Sequence, residues 1–585
     1  MPLAIDNLVD NHYASSVRRL EEPANTIDVY DLDGSGGFVI RRATGGSSYS
    51  YSTASLGIAD FIGDVNNDGI DDILISDPGK KYPAETRGVV YLIFGRQGDK
   101  PFGAPKYTLG SEGVRFFDST RAPDGDEENI GWSLKGLGDF NGDGVPDFAI
   151  GGAHSHSEGA KAHESAAIIL RRCSATIRWQ CYVVFGDRTW QARAPAIDID
   201  LASMDGTNGF RIRYNNPESD ARYCQPSQGG DINGDGYNDV VLSGYNMNVV
   251  VLYGGPMSYL PASFNGILDL YSTDSQVPHF DVICSAFDLE GAEKYDARHM
   301  IRHPDSRRAH VSLFGWPIGD LNSDGKSEIL IREPYVKKQH WRLSYEDFSK
   351  YINESDVKCA DLNNVTSAQG GSSALSPQFR QDIRVGAISD VTGDGVTDFS
   401  YLRDIHWSDA ETFGTEIRPG GNMSDWIGII DAGDFNGDTI PDLLVSDSRY
   451  DSTRGRVYVI HGCCGIWGRA NMTFGCCGNI FGESFDPEAM DIYRGVKIEN
   501  TQRPSGSYLG NPIGRGDFNG DGVSDIIIST NSMKNAFVSG DDDAAMGAYV
   551  VFGSSDWAPQ WCKQQQDTYD ALSYIAVSQR PTILF

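Results

Sequence analysis

The residues in this chain best suited to chemistry are carboxylates and amides that recur seven times at one spacing along 585 residues. The copies read DVNNDGIDD from Asp64, DFNGDGVPD from Asp139, DINGDGYND from Asp231, DLNSDGKSE from Asp320, DVTGDGVTD from Asp390, DFNGDTIPD from Asp434 and DFNGDGVSD from Asp517. Oxygen-bearing side chains fall at positions 1, 3, 5 and 9 of every copy. Calcium, a hard cation, takes about six to eight oxygens from carboxylates, amides, main-chain carbonyls and water. A tight loop with alternate side chains turned inward supplies them, the carbonyl of position 7 included.

The expected ligand sets are Asp64, Asn66, Asp68, Ile70 and Asp72; Asp139, Asn141, Asp143, Val145 and Asp147; Asp231, Asn233, Asp235, Tyr237 and Asp239; and Asp320, Asn322, Asp324, Lys326 and Glu328. The last three are Asp390, Thr392, Asp394, Val396 and Asp398; Asp434, Asn436, Asp438, Ile440 and Asp442; and Asp517, Asn519, Asp521, Val523 and Asp525. Up to seven calcium ions are expected. Glycine at position 6 lets the chain turn back with positive φ. In the Asp434 copy Thr439 stands there, so that loop is expected to be strained or altered.

Two other readings compete. Solvated Asp/Asn/Gly turns are common punctuation in β proteins, but seven copies with the same oxygen positions argue against chance. The EF-hand also opens Asp-x-Asn-x-Asp-Gly, yet it needs a glutamate at position 12 and flanking helices. Position 12 here is Ile75, Ile150, Leu242, Ile331, Tyr401, Val445 and Ile528, which are strand residues.

The elements that must position the loops are short strands. An apolar stretch ending in Gly-Asp, such as GWSLKGLGDF from Gly131, precedes a loop, and a second strand such as DDILISD from Asp71 follows. A third ends in an aromatic-glycine or similar pair: VVYLIFG at 89–95, CYVVFG at 181–186, VVVLYGG at 249–255, RVYVIHG at 456–462 and AYVVFG at 548–553. Residues 27–42, 107–117 and 197–213 each read as two short strands about a turn. Four strands per unit, repeated around an axis, describe a propeller blade. The fold class expected is all-β, a seven-bladed β-propeller with calcium loops between strands 1 and 2, so that every loop lies on one face. Most units are longer than the roughly 40 to 50 residues of simple propeller repeats, so insertions are expected at 151–180, 333–380 and 463–512.

Composition fits this reading. The formal charge of −32 is largely a property of the loops, and it argues against nucleic acid as a partner, because phosphate needs a basic footprint. No stretch has the apolar length of a membrane span, and the first residues lack the apolar core of a secretory signal. Sequons at Asn353, Asn364, Asn422 and Asn471 and ten cysteines nevertheless point outside the cell. The amino terminus is therefore expected to be a mature or incomplete one.

These residues resemble the FG-GAP repeats of integrin α-subunit heads and related surface proteins. The likeness rests on the seven loops and on the terminal pairs at Phe94, Phe185, Gly254 and Phe552, and it covers roughly residues 27–555. It implies a seven-bladed propeller with ions on one face and protein partners on the other. It also implies ring closure by the segment from Ile27 to Ile40, paired with the blade that holds Asp517. Thr439, Thr392 and Glu328 depart from that pattern.

Arg515, Gly516 and Asp517 spell a tripeptide that integrins recognise, but Asp517 also opens the seventh loop. His154, His156 and His163 form a short histidine-rich tract of a kind that can bind a transition metal, though exposed loop histidines are the first reading. The vicinal pairs Cys463–Cys464 and Cys476–Cys477 lack zinc-ligand spacing. Cys173 and Cys181 stand close enough to close a local loop, while Cys224, Cys284, Cys359 and Cys562 leave pairing open. There is no nucleophile elbow, His-Glu-x-x-His helix or phosphate loop, so no catalytic residue is assigned.

The domain reading is an arm at 1–26, the propeller at 27–555 and a β-prone tail at 556–585. The function expected is non-catalytic binding, adhesion or surface assembly outside the cell. The partner expected is a protein or glycan on the face opposite the loops, and self-assembly through the termini is a second expectation. The alternatives are a repeating subunit of an extracellular filament and, less favoured, a glycan-active hydrolase.

Overall fold

The computed structural model describes residues 26–41, 58–81, 87–98, 102–119, 128–154, 180–191, 195–213, 224–244, 249–256, 258, 264–269, 280–284, 314–320, 324–332, 340–343, 360–361, 385–388, 398–401, 404–406, 416–417, 427–462, 484–490, 495–501, 508–530 and 548–557. The described chain is all-β and propeller-like, built of short strands with little helix.

Each loop copy joins the first two strands of an antiparallel set, and each set is named here by the first aspartate of its loop. In the Asp64 sheet, Ala59–Gly63 leads into the loop and Asp72–Lys81 leads out, followed by Arg87–Ile93 and Val114–Phe117. The Asp139 sheet repeats the order with Glu128–Gly138, Asp147–His154, Gln180–Val184 and Gly209–Arg213. The Asp231 sheet uses Gln225–Gly230, Asp239–Ser243, Val249–Leu252 and Phe280–Cys284. In the Asp390 sheet the strands are Val385–Ile388, Asp398–Tyr401, Asp404–His406 and Glu416–Ile417. The Asp434 sheet has Ile427–Gly433, Asp442–Asp447, Arg456–Ile460 and Gly495–Glu499. Leu509–Gly516, Asp525–Thr530 and Ala548–Val551 of the Asp517 sheet are completed by Gly37–Arg41 from the other end of the chain. In the Asp320 sheet three strands are described, Phe314–Gly319, Glu328–Arg332 and His340–Leu343.

The second strands are buried along their whole length in Asp442–Asp447 and Asp525–Thr530, as continuous apolar runs covered on both faces should be. What covers them is the neighbouring sheet. One apolar cluster joins Phe38, Ile527 and Val550 of the Asp517 sheet to Ile73 and Tyr91 of the Asp64 sheet. Another joins Leu74 and Phe116 to Phe148 and Tyr182 of the Asp139 sheet. The core therefore lies between sheets, in slabs. The first strands of consecutive sheets lie side by side in chain order, and Leu509–Gly516 lies against Ala59–Gly63.

The paired strands expected at 27–42, 107–117 and 197–213 do form, but they are not partners of each other. Thr26–Asp28 runs parallel to Gly495–Glu499 of the Asp434 sheet, whereas Gly37–Arg41 belongs to the Asp517 sheet. Likewise Ile197–Asp200 pairs with Val114–Phe117 of the Asp64 sheet before the chain enters the Asp139 sheet at Gly209–Arg213. Lys106–Thr108 crosses in the same way to Gly37–Arg41. A 3-10 turn diverts the chain in two of these, Val29–Asp31 capped by Asp28 and Leu201–Ser203 capped by Asp200. The cap carboxylates also accept hydroxyl protons from the preceding sheet, Asp28 from Thr501 and Asp200 from Ser119. Each crossing covers an edge strand that would otherwise expose unpaired N–H and C=O groups.

The cysteine pairing differs from the local loop at Cys173 and Cys181. Cys181, in the third strand of the Asp139 sheet, is bonded to Cys224, just before the first strand of the Asp231 sheet. Sequence distance favoured Cys173, but stacking of sheets brings Cys224 to a Cα separation of 6.0 Å. Ser133 Oγ donates to the Cys224 carbonyl at 2.7 Å, a second link at the same seam.

Candidate metal loops

Five of the seven loops are described in full, and they share one hydrogen-bond scheme. The position 1 carboxylate gathers main-chain N–H groups. Asp139 Oδ1 accepts from Gly142 at 2.8 Å and Asp143 at 3.0 Å, and Oδ2 from Gly144 at 2.9 Å. Asp231 and Asp517 accept from the corresponding three residues, and Asp64 and Asp434 from two. In the Asp320 loop, Asp320 accepts from Asp324 at 3.1 Å and Gly325 at 2.8 Å.

At position 3, the amides of Asn66, Asn141, Asn233, Asn436 and Asn519 donate to the position 5 carboxylates of Asp68, Asp143, Asp235, Asp438 and Asp521 at 3.0–3.2 Å. Those carboxylates accept in turn from the N–H of position 7, at Ile70, Val145, Tyr237, Ile440 and Val523. Lys326 donates likewise to Asp324.

The scheme demands left-handed backbone at two places. Position 6 has φ between 82° and 92° at Gly69, Gly144, Gly236, Gly325 and Gly522, and Thr439 holds the same turn at φ 72°. The Asp434 loop is thus strained rather than remodelled, since Thr439 N still donates to Asp434 Oδ2 at 2.7 Å. The second place is position 4, where φ is 58° at Asn67 and 76° at Gly142. That requirement was visible in the recurrent Gly or Asn at position 4 but was not read from the sequence.

Position 9 ties each loop to its sheet. Asp147 Oδ2 accepts from Phe140 at 2.9 Å and Asn141 at 3.0 Å, while Oδ1 accepts from Gly186 N, at the end of the third strand, at 2.9 Å. Asp72 meets Gly95, Asp239 meets Gly254, Asp442 meets Gly462 and Asp525 meets Gly553 in the same way, at 2.7–3.0 Å. The aromatic-glycine pairs acquire their reason here. A Cβ on any of these five glycines would stand 2.3–2.4 Å from the main-chain oxygen of position 8, closer than side-chain carbon and oxygen can approach.

The position 9 carboxylates are buried, with fractional exposure of 0% at Asp72, Asp147, Asp239, Asp442 and Asp525. Burial pushes the Asp147 carboxyl up to about 8 and that of Asp239 up to about 7. The N–H donors pull the other way, and the neighbouring loop carboxylates reinforce the rise. Asp72, Asp442 and Asp525 are raised well above the usual range for the same reasons. Their charge is thus costly as the loop stands, and a cation close by would relieve it.

Among the described residues no three His, Cys, Asp or Glu side chains converge as a metal-binding group. The loop carboxylates are instead turned onto main-chain N–H groups, as set out above. The donor chemistry nonetheless suits a hard cation. Every side chain concerned offers oxygen, and a carboxylate oxygen that accepts one N–H keeps a second lone pair. Asp139 Oδ2 and Asp147 Oδ1 are such atoms. Asn322, Asp390, Thr392, Asp394 and Val396 lie outside the described residues, as do the four sequons, His156, His163, the vicinal cysteine pairs and the tail beyond 557.

The Arg515–Gly516–Asp517 tripeptide is built into this framework. Arg515 donates to Asp431 of the adjacent sheet at 2.8 Å, and Asp517 accepts three loop N–H groups. A Cβ on Gly516 would fall 2.3 Å from Phe61. The tripeptide ends a strand between two sheets.

Fold and loops together define an all-β, propeller-like protein carrying repeated acidic turns. No family model matches the chain. Over 197 residues, 33% of this chain, it is 28% identical to phosphatidylinositol-glycan-specific phospholipase D of Homo sapiens, and the match spans 19% of that relative's length. Among solved structures it is similar to BBS1N in complex with ARL6DN, with a TM-score of 0.33 and 8% identity, covering 88% of this chain and 97% of that one. It is also similar to the Bacillus licheniformis rhamnogalacturonan lyase PL11, with a TM-score of 0.32 and 13% identity, covering 90% and 76%.

Proposed function

We propose that this chain is an extracellular, calcium-stabilised, seven-bladed β-propeller of the FG-GAP kind whose work is non-catalytic binding, in adhesion or surface assembly. The observation that carries the reading is the clamp between position 9 aspartates and terminal glycines, repeated in five sheets. A device multiplied in this way braces a scaffold; a reaction centre needs to be built once. The side-by-side order of first strands and the entry of Gly37–Arg41 into the Asp517 sheet support closure into a ring of seven.

Calcium would be held by the carboxylates of positions 1, 5 and 9, the amide or hydroxyl of position 3 and the carbonyl of position 7. It would supply positive charge to carboxylates that burial disfavours. The Cys181–Cys224 bond supports an oxidising location. Among the described residues no helix is long and apolar enough to cross a membrane.

The partner would be a protein or glycan bound on the face away from the loops. Trp132 is 51% exposed at a bulge in the first strand of the Asp139 sheet, toward the end away from Asp139. Trp132→Ala is expected to lose partner capture on protein and glycan arrays while leaving the Tm unchanged. Capture that survives this and other changes on that face would place the surface elsewhere. Excess chelator is expected to lower the Tm of the native protein, and an unchanged Tm would remove calcium from the reading.

A further inference from the structure

The loops touch one another, and they do so through particular peptide groups. Asp71 N donates to the Asp517 carbonyl at 3.1 Å, and Ser524 N to the Asp434 carbonyl at 2.9 Å. Ser327 N donates to the Asp231 carbonyl at 2.8 Å, and Asn238 N to the Asp139 carbonyl at 3.4 Å. In each case position 8 of one loop donates to position 1 of the loop before it. The second peptide group then passes the contact on. The N–H that follows the accepting carbonyl belongs to position 2 and donates to the position 9 carboxylate of its own loop. Phe518 N reaches Asp525 Oδ2 at 2.8 Å, Phe435 N reaches Asp442 Oδ2 at 2.9 Å, Ile232 N reaches Asp239 Oδ2 at 2.7 Å and Phe140 N reaches Asp147 Oδ2 at 2.9 Å.

The donating N–H shares its peptide unit with the carbonyl of position 7, one of the expected ligands. A carbonyl drawn to a cation polarises its own N–H and strengthens the bond that N–H makes. The path therefore runs from the ligand carbonyl of one loop, through two peptide groups, to the buried carboxylate of the next. Side chains follow the same route. Position 7 covers position 4 of the preceding loop, Tyr237 over Gly142, Lys326 over Gly234 and Ile70 over Gly520.

Two copies lack the donor. Position 8 is Pro146 in the Asp139 loop and Pro441 in the Asp434 loop, and proline has no N–H. The path is cut between the Asp139 and Asp64 loops and again below the Asp434 loop. At the first cut Asp187 N still donates to the Val65 carbonyl at 2.9 Å. That bond joins a strand end to the loop and bypasses the ligand-bearing peptide.

We propose that the described loops work as two coupled triads, Asp64 with Asp517 and Asp434, and Asp139 with Asp231 and Asp320, so that ordering one loop orders its triad; the Asp390 copy, whose position 8 is Thr397 and keeps its N–H, lies outside the described residues. For cation binding this rests on the calcium reading above, but the coupling itself does not. The test uses the full chain with Ser524→Pro, a change the turn accommodates, since Pro146 and Pro441 occupy that position in sister copies. Amide hydrogen exchange, read with chelator present, is expected to quicken roughly fivefold in the 434–442 loop, the loss of about one ordinary hydrogen bond. The Asp139, Asp231 and Asp320 loops should not change.

Ser327→Pro provides the mirror experiment, quickening the Asp231 loop while sparing the other triad. A change confined to the mutated loop, or one spread over both triads, overturns the proposal. In calcium titration the native protein should show a Hill coefficient above 1 and no greater than about 4, the larger of the two groups that the prolines leave among seven copies, lowered by Ser524→Pro. Independent binding in the native protein overturns the coupling with the calcium reading intact. Absence of binding sinks the calcium reading instead, and the exchange result then decides the coupling by itself.

Discussion

The N–H of Gly186 donates to Oδ1 of Asp147 at 2.9 Å, across 39 residues of chain. One carboxylate thereby closes a loop and anchors the end of the third strand of its sheet. Asp147→Asn keeps a single accepting oxygen and is expected to lower stability by about 2 kcal/mol, because a buried N–H loses its partner. Gly186→Ala is expected to cost about 3 kcal/mol, since its methyl group would meet the Pro146 carbonyl at 2.4 Å. Urea unfolding measures both, and a native midpoint for Gly186→Ala would show that the close approach is not a constraint.

Thr439 is the β-branched residue in a turn that the other described copies give to glycine. Left-handed backbone costs such a residue about 1–3 kcal/mol, while glycine adds unfolded-state entropy of about 0.5–1 kcal/mol. Thr439→Gly is therefore expected to stabilise the protein by about 1 kcal/mol. A lowered Tm in calorimetry would mean that the threonine makes a contact worth more than its strain.

Cys181 and Cys224 close a chain segment of 43 residues between two sheets. By loop-closure entropy the bond is worth about 2–4 kcal/mol. The Cys181→Ser, Cys224→Ser double variant should lose that amount, and its Tm should fall less on adding reductant than that of the native protein.

Glu488 shares a polar cluster on the Asp434 sheet with a second carboxylate, Glu499, which Arg456 also pairs with. Glu488 Oε1 accepts from Arg456 at 2.5 Å and from Tyr458 at 2.6 Å, and Lys497 stands at 3.4 Å from Oε2. Burial opposes its charge, but the Tyr458 hydroxyl and the Arg456 and Lys497 charges outweigh it and hold the carboxyl below its ordinary 4.5. A depressed carboxyl adds stability that is fully present above the unfolded value and is lost as pH falls through the folded one. Glu488→Gln should thus cost on the order of 1 kcal/mol at pH 7, with the difference from native shrinking below about pH 4.5. A difference that stays constant from pH 7 to 3 would contradict this role.

The loops were legible because their constraints are local. Asp at positions 1 and 9, Asn at 3 and Asp at 5 satisfy N–H groups within seven residues, so the pattern survives in the linear chain. The strands were legible too, since apolar runs such as 526–528 lie in strands buried along their whole length. Their third members could be recognised by their terminal pairs without revealing why glycine was needed.

What the sequence determined by itself was the repeating unit: an acidic turn, the strands on either side of it and the all-β class. Only tertiary structure decided which units meet. The segment holding Thr26–Asp28 and Gly37–Arg41 looks like a local pair, yet it serves two sheets built mainly from the far end of the chain. Cys181 takes Cys224 over a nearer cysteine, and position 8 of one loop finds position 1 of another. Such contacts depend on how sheets stack, and stacking is governed by apolar faces that look alike from sheet to sheet. Residue type and spacing record what a turn needs within itself; they carry little information about the neighbour on which it rests.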